Sequence, residues 1–409
     1  MKRSILLISY YFPPLGMAGV QRPLGLAKYL FRLGWRVYVL TVKPIAYWET
    51  DPTLLEDFPK EIPVFRAGSL DPARVSYLFG RRKRTGTGFR PAAGKLFWDA
   101  KLGFAPFVWA KGCRLIEEFS ISAIWTTSPP PSLHLAGLWL KRTNDIQWFA
   151  DFRDPWEAEG PEENSNVWQK RREKLKRLLA AADGVTAVND GLKNFLEPLA
   201  QAGKVATVFN GFDPEIKVSD FASPRKIFTL AYGGTLNAPH NPHPFFKALS
   251  RWKKSKGRPF RLLLVGRVLE LPVRSWLEEL ALAENAEVTG YLPHRAARQK
   301  LGEADLFLLF LPPEPAYGLN LPAKIFEYIG LGKPVLAVAG AGSAVADFFS
   351  QYPVGALCSR EDEIVEQLEF YYRQWENGSL PSLPETLRQP FGWDKQAGQL
   401  SNLIESKLK

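Results

Sequence analysis

Short apolar runs of about six residues recur along the chain, most ending in glycine or proline and leading into a longer stretch of helical period. That alternation restricts the fold to parallel strands joined by helical crossovers, with ligands at the carboxyl ends of the strands. The first run, Ile5 to Phe12, closes in Pro13-Pro14-Leu15-Gly16-Met17-Ala18-Gly19; a helical stretch through Leu24, Ala27 and Leu30 stops at Gly34, and a strand over 36–41 follows at once. Strands at 121–126, 146–150, 184–188 and 204–209 continue the pattern, with helices at 132–142, 165–182 and 190–201. After the turn residues Asn210-Gly211-Phe212-Asp213-Pro214 and a polar stretch to Lys226, it restarts with strands at 227–232, 260–265, 286–289, 305–310 and 334–338 and a helix at 322–330. The sequence predicts an α/β chain of two Rossmann-like, doubly wound parallel-sheet domains, 1–212 and 227–390, facing each other across a cleft. A linker over 213–226 joins them, and a terminal helix within 391–409 is placed to cross back to the first domain.

The chain of 409 residues is long enough for two such cores, and its two cysteines, Cys113 and Cys358, can build neither a disulfide framework nor a cysteine zinc site. Net charge is +11, and it is uneven: residues 1–212 hold 30 basic and 20 acidic side chains and 9 of the 13 tryptophans, whereas residues 213–409 are close to neutral. A basic, tryptophan-rich half suits an anionic partner such as a membrane surface. Arg81-Arg82-Lys83-Arg84 with Arg90, Phe97-Trp98, Phe104, Phe107 and Trp109 interleaves charge and aromatics as an interfacial segment does, and the helix at 165–182 adds six more basic residues. The competing reading is a solvated loop over core aromatics. No nucleic-acid-binding pattern accompanies the charge. The opening Met1-Lys2-Arg3 and Ile5 to Phe12 lack the length and the cleavage site of a signal peptide, and no later run approaches the ~20 apolar residues of a membrane span. A cytoplasmic protein, peripheral on the membrane if attached to it, is expected.

Asn320-Leu321-Pro322-Ala323-Lys324-Ile325-Phe326-Glu327-Tyr328-Ile329-Gly330 is the most informative segment. Proline at a first helical position frames a short helix whose free amides and positive dipole end favour an anion, and Lys324 adds a formal charge. Glu327, one turn on, is placed to accept hydrogen bonds from ribose or sugar hydroxyls. The bland reading is a capped helix with a solvated Lys–Glu pair. Against it, Gly233-Gly234-Thr235, Gly266-Arg267 and Gly290-Tyr291 also sit at strand ends of the same domain, as a nucleotide pocket requires.

With these blocks in order, the chain resembles the retaining glycosyltransferases of family 4, within glycosyl transferases group 1, and their GT-B fold. Tyr11-Phe12-Pro13-Pro14 with Gly16 to Gly19, Thr127-Ser128-Pro129-Pro130, Asp151-Phe152-Arg153-Asp154-Pro155-Trp156, Asn210-Gly211-Phe212-Asp213, Val288-Thr289-Gly290-Tyr291 and Pro322 to Gly330 carry the likeness. The resemblance implies transfer of a sugar from a nucleotide diphosphate-sugar, without a cofactor, to a lipid-linked or polysaccharide acceptor. Glu327 then holds the donor ribose, Lys324 and the amides near Ala323 meet the diphosphate, Gly290-Tyr291 faces the base, and Gly16, Met17, Ala18 and Gly19 allow close approach to the diphosphate and sugar. Two positions depart from the family pattern. Leu319 stands where the first of two paired glutamates is usual, and the basic pair expected after Gly233-Gly234-Thr235 is replaced by Asn237, His240, His243 and Lys247, leaving Arg267 and Lys324 as the expected cations.

Asp151, Arg153 and Asp154 are the expected catalytic residues beside Lys324; the alternative is an Arg153–Asp151 or Arg153–Asp154 ion pair that pins a loop. Neither an Asp-x-Asp motif nor a histidine cluster announces a metal site. Gly340-Ala341-Gly342-Ser343 lacks the full dinucleotide fingerprint, which argues against hydride chemistry. A nucleotide-sugar epimerase or hydrolase of the same fold, or an inactive nucleotide-sugar-binding subunit, are the alternatives to a transferase.

Overall fold

The computed structural model describes residues 3–16, 18–46, 49–80, 99–155, 166–215, 227–312 and 318–408. The chain divides into two compact units, 1–210 with 393–409, and 211–392. Of the expected linker, 216–226 lies outside the described residues, as do Met17, Trp156 and the basic stretch 81–98.

In the first unit seven parallel strands are ordered β3-β2-β1-β4-β5-β6-β7. They are β1 (Ser4–Ser9), β2 (Arg36–Val42), β3 (Val64–Ala67), β4 (Ala123–Thr127), β5 (Gln147–Phe152), β6 (Gly184–Ala187) and β7 (Val205–Thr207). Because both faces of a parallel sheet are covered, consecutive residues of β1 enter different cores. Ile5 and Leu7 join Leu26, Leu30, Trp35 and Trp393, whereas Leu6 and Ile8 join Val108, Leu140 and Trp148. The helix Trp393–Glu405 belongs to the first of these cores. A Cβ on Gly25, in the helix Gln21–Arg32, would lie 2.5 Å from the Trp393 ring, so only glycine lets the two helices pack this closely. The Trp35 indole donates to the Ser401 hydroxyl at 2.9 Å.

The second unit repeats the plan with six parallel strands, β10-β9-β8-β11-β12-β13. These are β8 (Phe228–Gly233), β9 (Phe260–Val265), β10 (Ala286–Gly290), β11 (Leu306–Phe310), β12 (Val335–Val338) and β13 (Gly355–Cys358). Strand order reverses between β8 and β11, which is where a doubly wound sheet opens a crevice at its carboxyl edge.

Several boundaries differ from the sequence reading. The first strand stops at Ser9 instead of running to Phe12, and 190–201 is a helix only to Leu196, followed by a 3-10 turn over Glu197–Leu199. The short edge strands β3 and β13 and the helices Ala105–Phe119, His243–Lys256 and Glu361–Glu376 were not read from the sequence. Within the helix Ala105–Phe119, Val108, Leu115 and Ile116 are core; Phe104, just before it, is also buried, while Phe107 and Trp109 remain exposed.

Candidate active site

At the carboxyl edge of the second sheet, the turn after β8 is shaped by two glycines. Gly234 has a φ of +114°, the left-handed region that favours glycine, and a Cβ there would lie 3.0 Å from the Lys324 Nζ. Gly266, after β9, has a φ of +137°, and a Cβ on it would collide with the Gly234 carbonyl oxygen at 2.1 Å. The Gly233 amide donates to the Tyr328 hydroxyl at 2.8 Å, which ties this turn to the helix Lys324–Gly330.

That helix begins two residues later than the sequence suggests. Ile325 and Phe326 bond back to the carbonyls of Pro322 and Ala323, a tighter turn than an α-helix makes, so Pro322 precedes the N-cap Ala323 and is not the first helical residue. Leu321 is buried, Leu319 is partly exposed, and the Asn320 Oδ1 is buried with no partner among the described residues.

The Lys324 ammonium donates to the Tyr232 hydroxyl at 2.6 Å and lies over the Tyr232 ring, 4.0 Å from its centroid. Burial pushes Lys324 down to about 7, against the pull of Glu327. Across from it, the Glu327 Oε1 meets the His294 Nε2 at 2.8 Å, with both side chains about one-third exposed. Burial works to raise the Glu327 carboxyl, but the hydrogen bond and charge of His294, helped by Arg298 and Lys324, hold it below the usual range. The Arg267 guanidinium lies over the Tyr291 ring, 5.2 Å from its centroid, and Thr289 joins the same two loops by accepting from the Gly266 amide and donating to the Gly290 carbonyl. Gly233, Gly234, Thr235, Arg267, Gly290, Tyr291, Lys324 and Glu327 therefore gather at adjoining strand ends of one sheet. In the region that replaces the usual basic pair, His240 and Asn237 hydrogen-bond each other at 2.7 Å, and burial, then the charge of Lys324, pushes His240 down to about 4. The His243 ring packs at a tilt against Trp276, with centroids 4.6 Å apart, and Lys247 is exposed.

The residues expected in the first unit are placed differently. β5 runs on to Phe152, so Asp151 lies inside the strand, fully buried. Its partner is Arg22, at 2.6 and 2.9 Å, and not the Arg153 of the alternative ion-pair reading; the hydroxyls of Thr127 and Thr186 donate to it at 2.6 and 2.5 Å. Burial would raise the Asp151 carboxyl, but Arg22 and the two threonines hold it low. A carboxylate with no exposed surface and every oxygen occupied cannot reach a substrate, and Asp151 leaves the set of catalytic candidates. Arg153 is likewise committed: it donates to the carbonyls of Ser128 (2.6 Å), Gly19 (2.7 Å) and Pro129 (3.3 Å). It clamps the loop of Gly16 and Gly19 to the Ser128-Pro129 loop, with Ala18 and Gly19 forming a 3-10 turn between them and the helix Gln21–Arg32. Asp154 is exposed.

Sequence reasoning missed Arg22, Tyr232, His294 and Tyr328. Tyr328 lies within the Pro322 to Gly330 block without being singled out there, the other three lie in no motif, and Arg22 is 129 residues from its partner. A polar or aromatic residue next to the glycine that closes an apolar strand, as Tyr232 is, was the one local signal available. Among the described residues no group of three or more His, Cys, Asp or Glu side chains is arranged to hold a metal ion.

Residues 227–373 match the family model described as Glycosyl transferases group 1. No curated protein matches the chain in sequence. In structure it is similar to a glycosyltransferase from Rickettsia africae ESF-5, with a TM-score of 0.69 and 15% identity over 100% of this chain and 99% of that one. It is also similar to Alr3699/HepE of Anabaena in complex with UDP and glucose (TM-score 0.67, 18% identity, 98% and 99% covered). Sucrose-phosphate synthase from Thermosynechococcus elongatus gives a TM-score of 0.65 and 16% identity over 99% and 98% of the two chains. The fold is that of the GT-B glycosyltransferases. The resemblance to glycosyl transferases group 1 read from the sequence holds.

Proposed function

We propose that the chain is a glycosyltransferase that moves a sugar from a nucleotide diphosphate-sugar to a lipid-linked or polysaccharide acceptor, with retention at the anomeric carbon. The observation that carries this reading is the gathering of Lys324, the Gly233-Gly234-Thr235 turn and Glu327 at the switch point of the second sheet, within the matched residues 227–373. Solved relatives of the same fold hold UDP and glucose, which supports a nucleotide-sugar donor here. In the proposed step the bond from the anomeric carbon to the diphosphate oxygen breaks and the acceptor oxygen bonds to the same face. The acceptor's hydroxyl proton passes to the departing phosphate oxygen. Lys324, the amides at the start of its helix and Arg267 stabilise the charge that collects on the leaving diphosphate. Arg153 acts through the loops it clamps, and Asp154 is the exposed acidic group left at that strand end.

The acceptor side is assigned to the first unit. Among its exposed side chains are Leu70, Tyr77, Leu78, Phe79, Phe107 and Trp109, in the half of the chain that carries most of the positive charge, a combination suited to an anionic membrane surface. No helix among the described residues is long and apolar enough to cross a membrane. Leu319, in place of the usual first glutamate, favours an inactive nucleotide-sugar-binding subunit as the second reading.

A thermal-shift panel of nucleotide sugars, followed by transfer of labelled sugar from the best stabiliser to a membrane-extracted acceptor, tests both readings. Transfer that persists in EDTA is expected. Stabilisation without transfer supports the binding subunit, and no stabilisation by any nucleotide sugar removes both.

A further inference from the structure

The Lys324 side chain does not simply extend toward solvent. Tyr232, the penultimate residue of β8 and fully buried, accepts the ammonium's hydrogen bond at 2.6 Å and donates its own hydroxyl proton to the Thr235 carbonyl at 3.0 Å. Its ring is held by Phe310, stacked at 5.1 Å, while the ammonium lies 4.0 Å from the ring centroid. Gly234 completes the arrangement, since any Cβ there would crowd the Nζ at 3.0 Å.

We propose that Tyr232 is a positioning residue that holds the Lys324 ammonium against the Gly233-Gly234-Thr235 turn, so that one lysine and one turn form a cradle for a nucleoside diphosphate. This rests on the reading of the site as a nucleotide-sugar pocket. A buried hydroxyl that already donates to Thr235 has only its lone pairs to offer, which makes it an acceptor suited to an ammonium. The ring face attracts the same cation, and attraction of this kind grows where water is excluded. Without such a tether, a lysine would sample many rotamers and lose entropy on binding an anion; here that ordering precedes the ligand. The charged and titratable groups around Lys324 are Glu327 on its own helix, which pulls toward the ammonium, Tyr232 on β8, which accepts its hydrogen bond, and His240 in the turn after Thr235, whose imidazole feels the lysine's charge; His294 and Arg298 face Glu327.

Calorimetry with inorganic pyrophosphate, a probe that needs no base recognition, tests the proposal between pH 6 and 9 on the wild type, Tyr232→Phe and Lys324→Met. Tyr232→Phe keeps the ring and removes the hydroxyl. It is expected to weaken pyrophosphate roughly tenfold, in line with the loss of one hydrogen bond to a charged group. It should also move the pH midpoint of binding downward, because the lost acceptor favoured the charged ammonium. Wild-type affinity and midpoint in Tyr232→Phe, together with a large loss in Lys324→Met, would overturn the role of Tyr232 and leave the anion site standing. Unchanged binding in Lys324→Met would overturn the site itself. Should Tyr232→Phe fail to fold, NMR of the wild type decides. A Lys324 side-chain signal shifted by the ring current of Tyr232 is expected, and a signal at the position of a free lysine refutes the tether.

Discussion

Glu327 presents two oxygens, and His294 meets one of them, Oε1; in the proposed function Oε2 is the oxygen offered to a ribose hydroxyl. Removing the carboxylate leaves donor hydroxyls unpaired, so Glu327→Ala is expected to weaken nucleotide-sugar binding by about 2 kcal/mol, roughly thirtyfold, by calorimetry. His294→Ala should raise the donor KM by a smaller factor with little change in kcat, and His294→Gln, which can still donate a hydrogen bond, should recover most of it. Lys324 introduces a pH dependence whose sign follows from its position near 7. Below that value it is an ammonium, which in the proposed function attracts the diphosphate; as pH rises through it, a growing share is neutral and donor affinity is expected to fall. Binding should therefore take up a proton near neutrality, detectable as a calorimetric heat that varies with the buffer's ionisation enthalpy. None of these pairings could be read locally: Lys324 and Glu327 stood out by type and spacing, but Tyr232 is 92 residues and His294 33 residues from the groups they touch.

Among the elements, the carboxyl ends of β4, β5 and β6 are joined by one buried ion pair. Arg22, from the helix after β1, reaches Asp151 in β5 and the Phe209 carbonyl beyond β7, while Thr127 of β4 and Thr186 of β6 complete the carboxylate's shell. Breaking such a pair strands a buried charge, so Asp151→Ala or Arg22→Met is expected to cost about 3–5 kcal/mol in urea denaturation. The double variant Arg22→Met with Asp151→Leu should recover part of that loss, and equal losses in all three would show that the pair is not what stabilises these strand ends. Asp151 titrates below its ordinary value in the folded chain, so its stabilisation is present above the unfolded carboxyl pKa and is lost as pH falls through the folded one. The same pair explains why the end of β5 was misread. An aspartate is a poor strand residue on its own, and only Arg22 and two threonines from neighbouring elements make it acceptable inside β5.

On the scale of the whole chain, the basic excess and most of the exposed large apolar side chains among the described residues fall in the same half, with Ile227 and Phe370 the exceptions. Sedimentation with anionic vesicles is expected to show binding at low salt that weakens at high salt. Replacing Arg81, Arg82, Lys83 and Arg84 together, or Leu78 and Phe79 by serine, should reduce it; binding that ignores both changes assigns the membrane contact elsewhere, and no binding at all points to an acceptor that is free in solution.

The alternation of apolar runs with helical stretches, and the glycines and prolines at strand ends, are local properties, and they were enough to announce two doubly wound α/β sheets and the strand-end loops of the second one. Local periodicity says which face of an element is buried, and burial obliges a polar group there to find a partner. It does not say which partner. The order β1-β4-β5-β6 and β10-β9-β8-β11 brings Arg22 to Asp151 and Lys324 to Tyr232, and that order depends on how whole helices and strands pack, not on the residues beside each group in the chain.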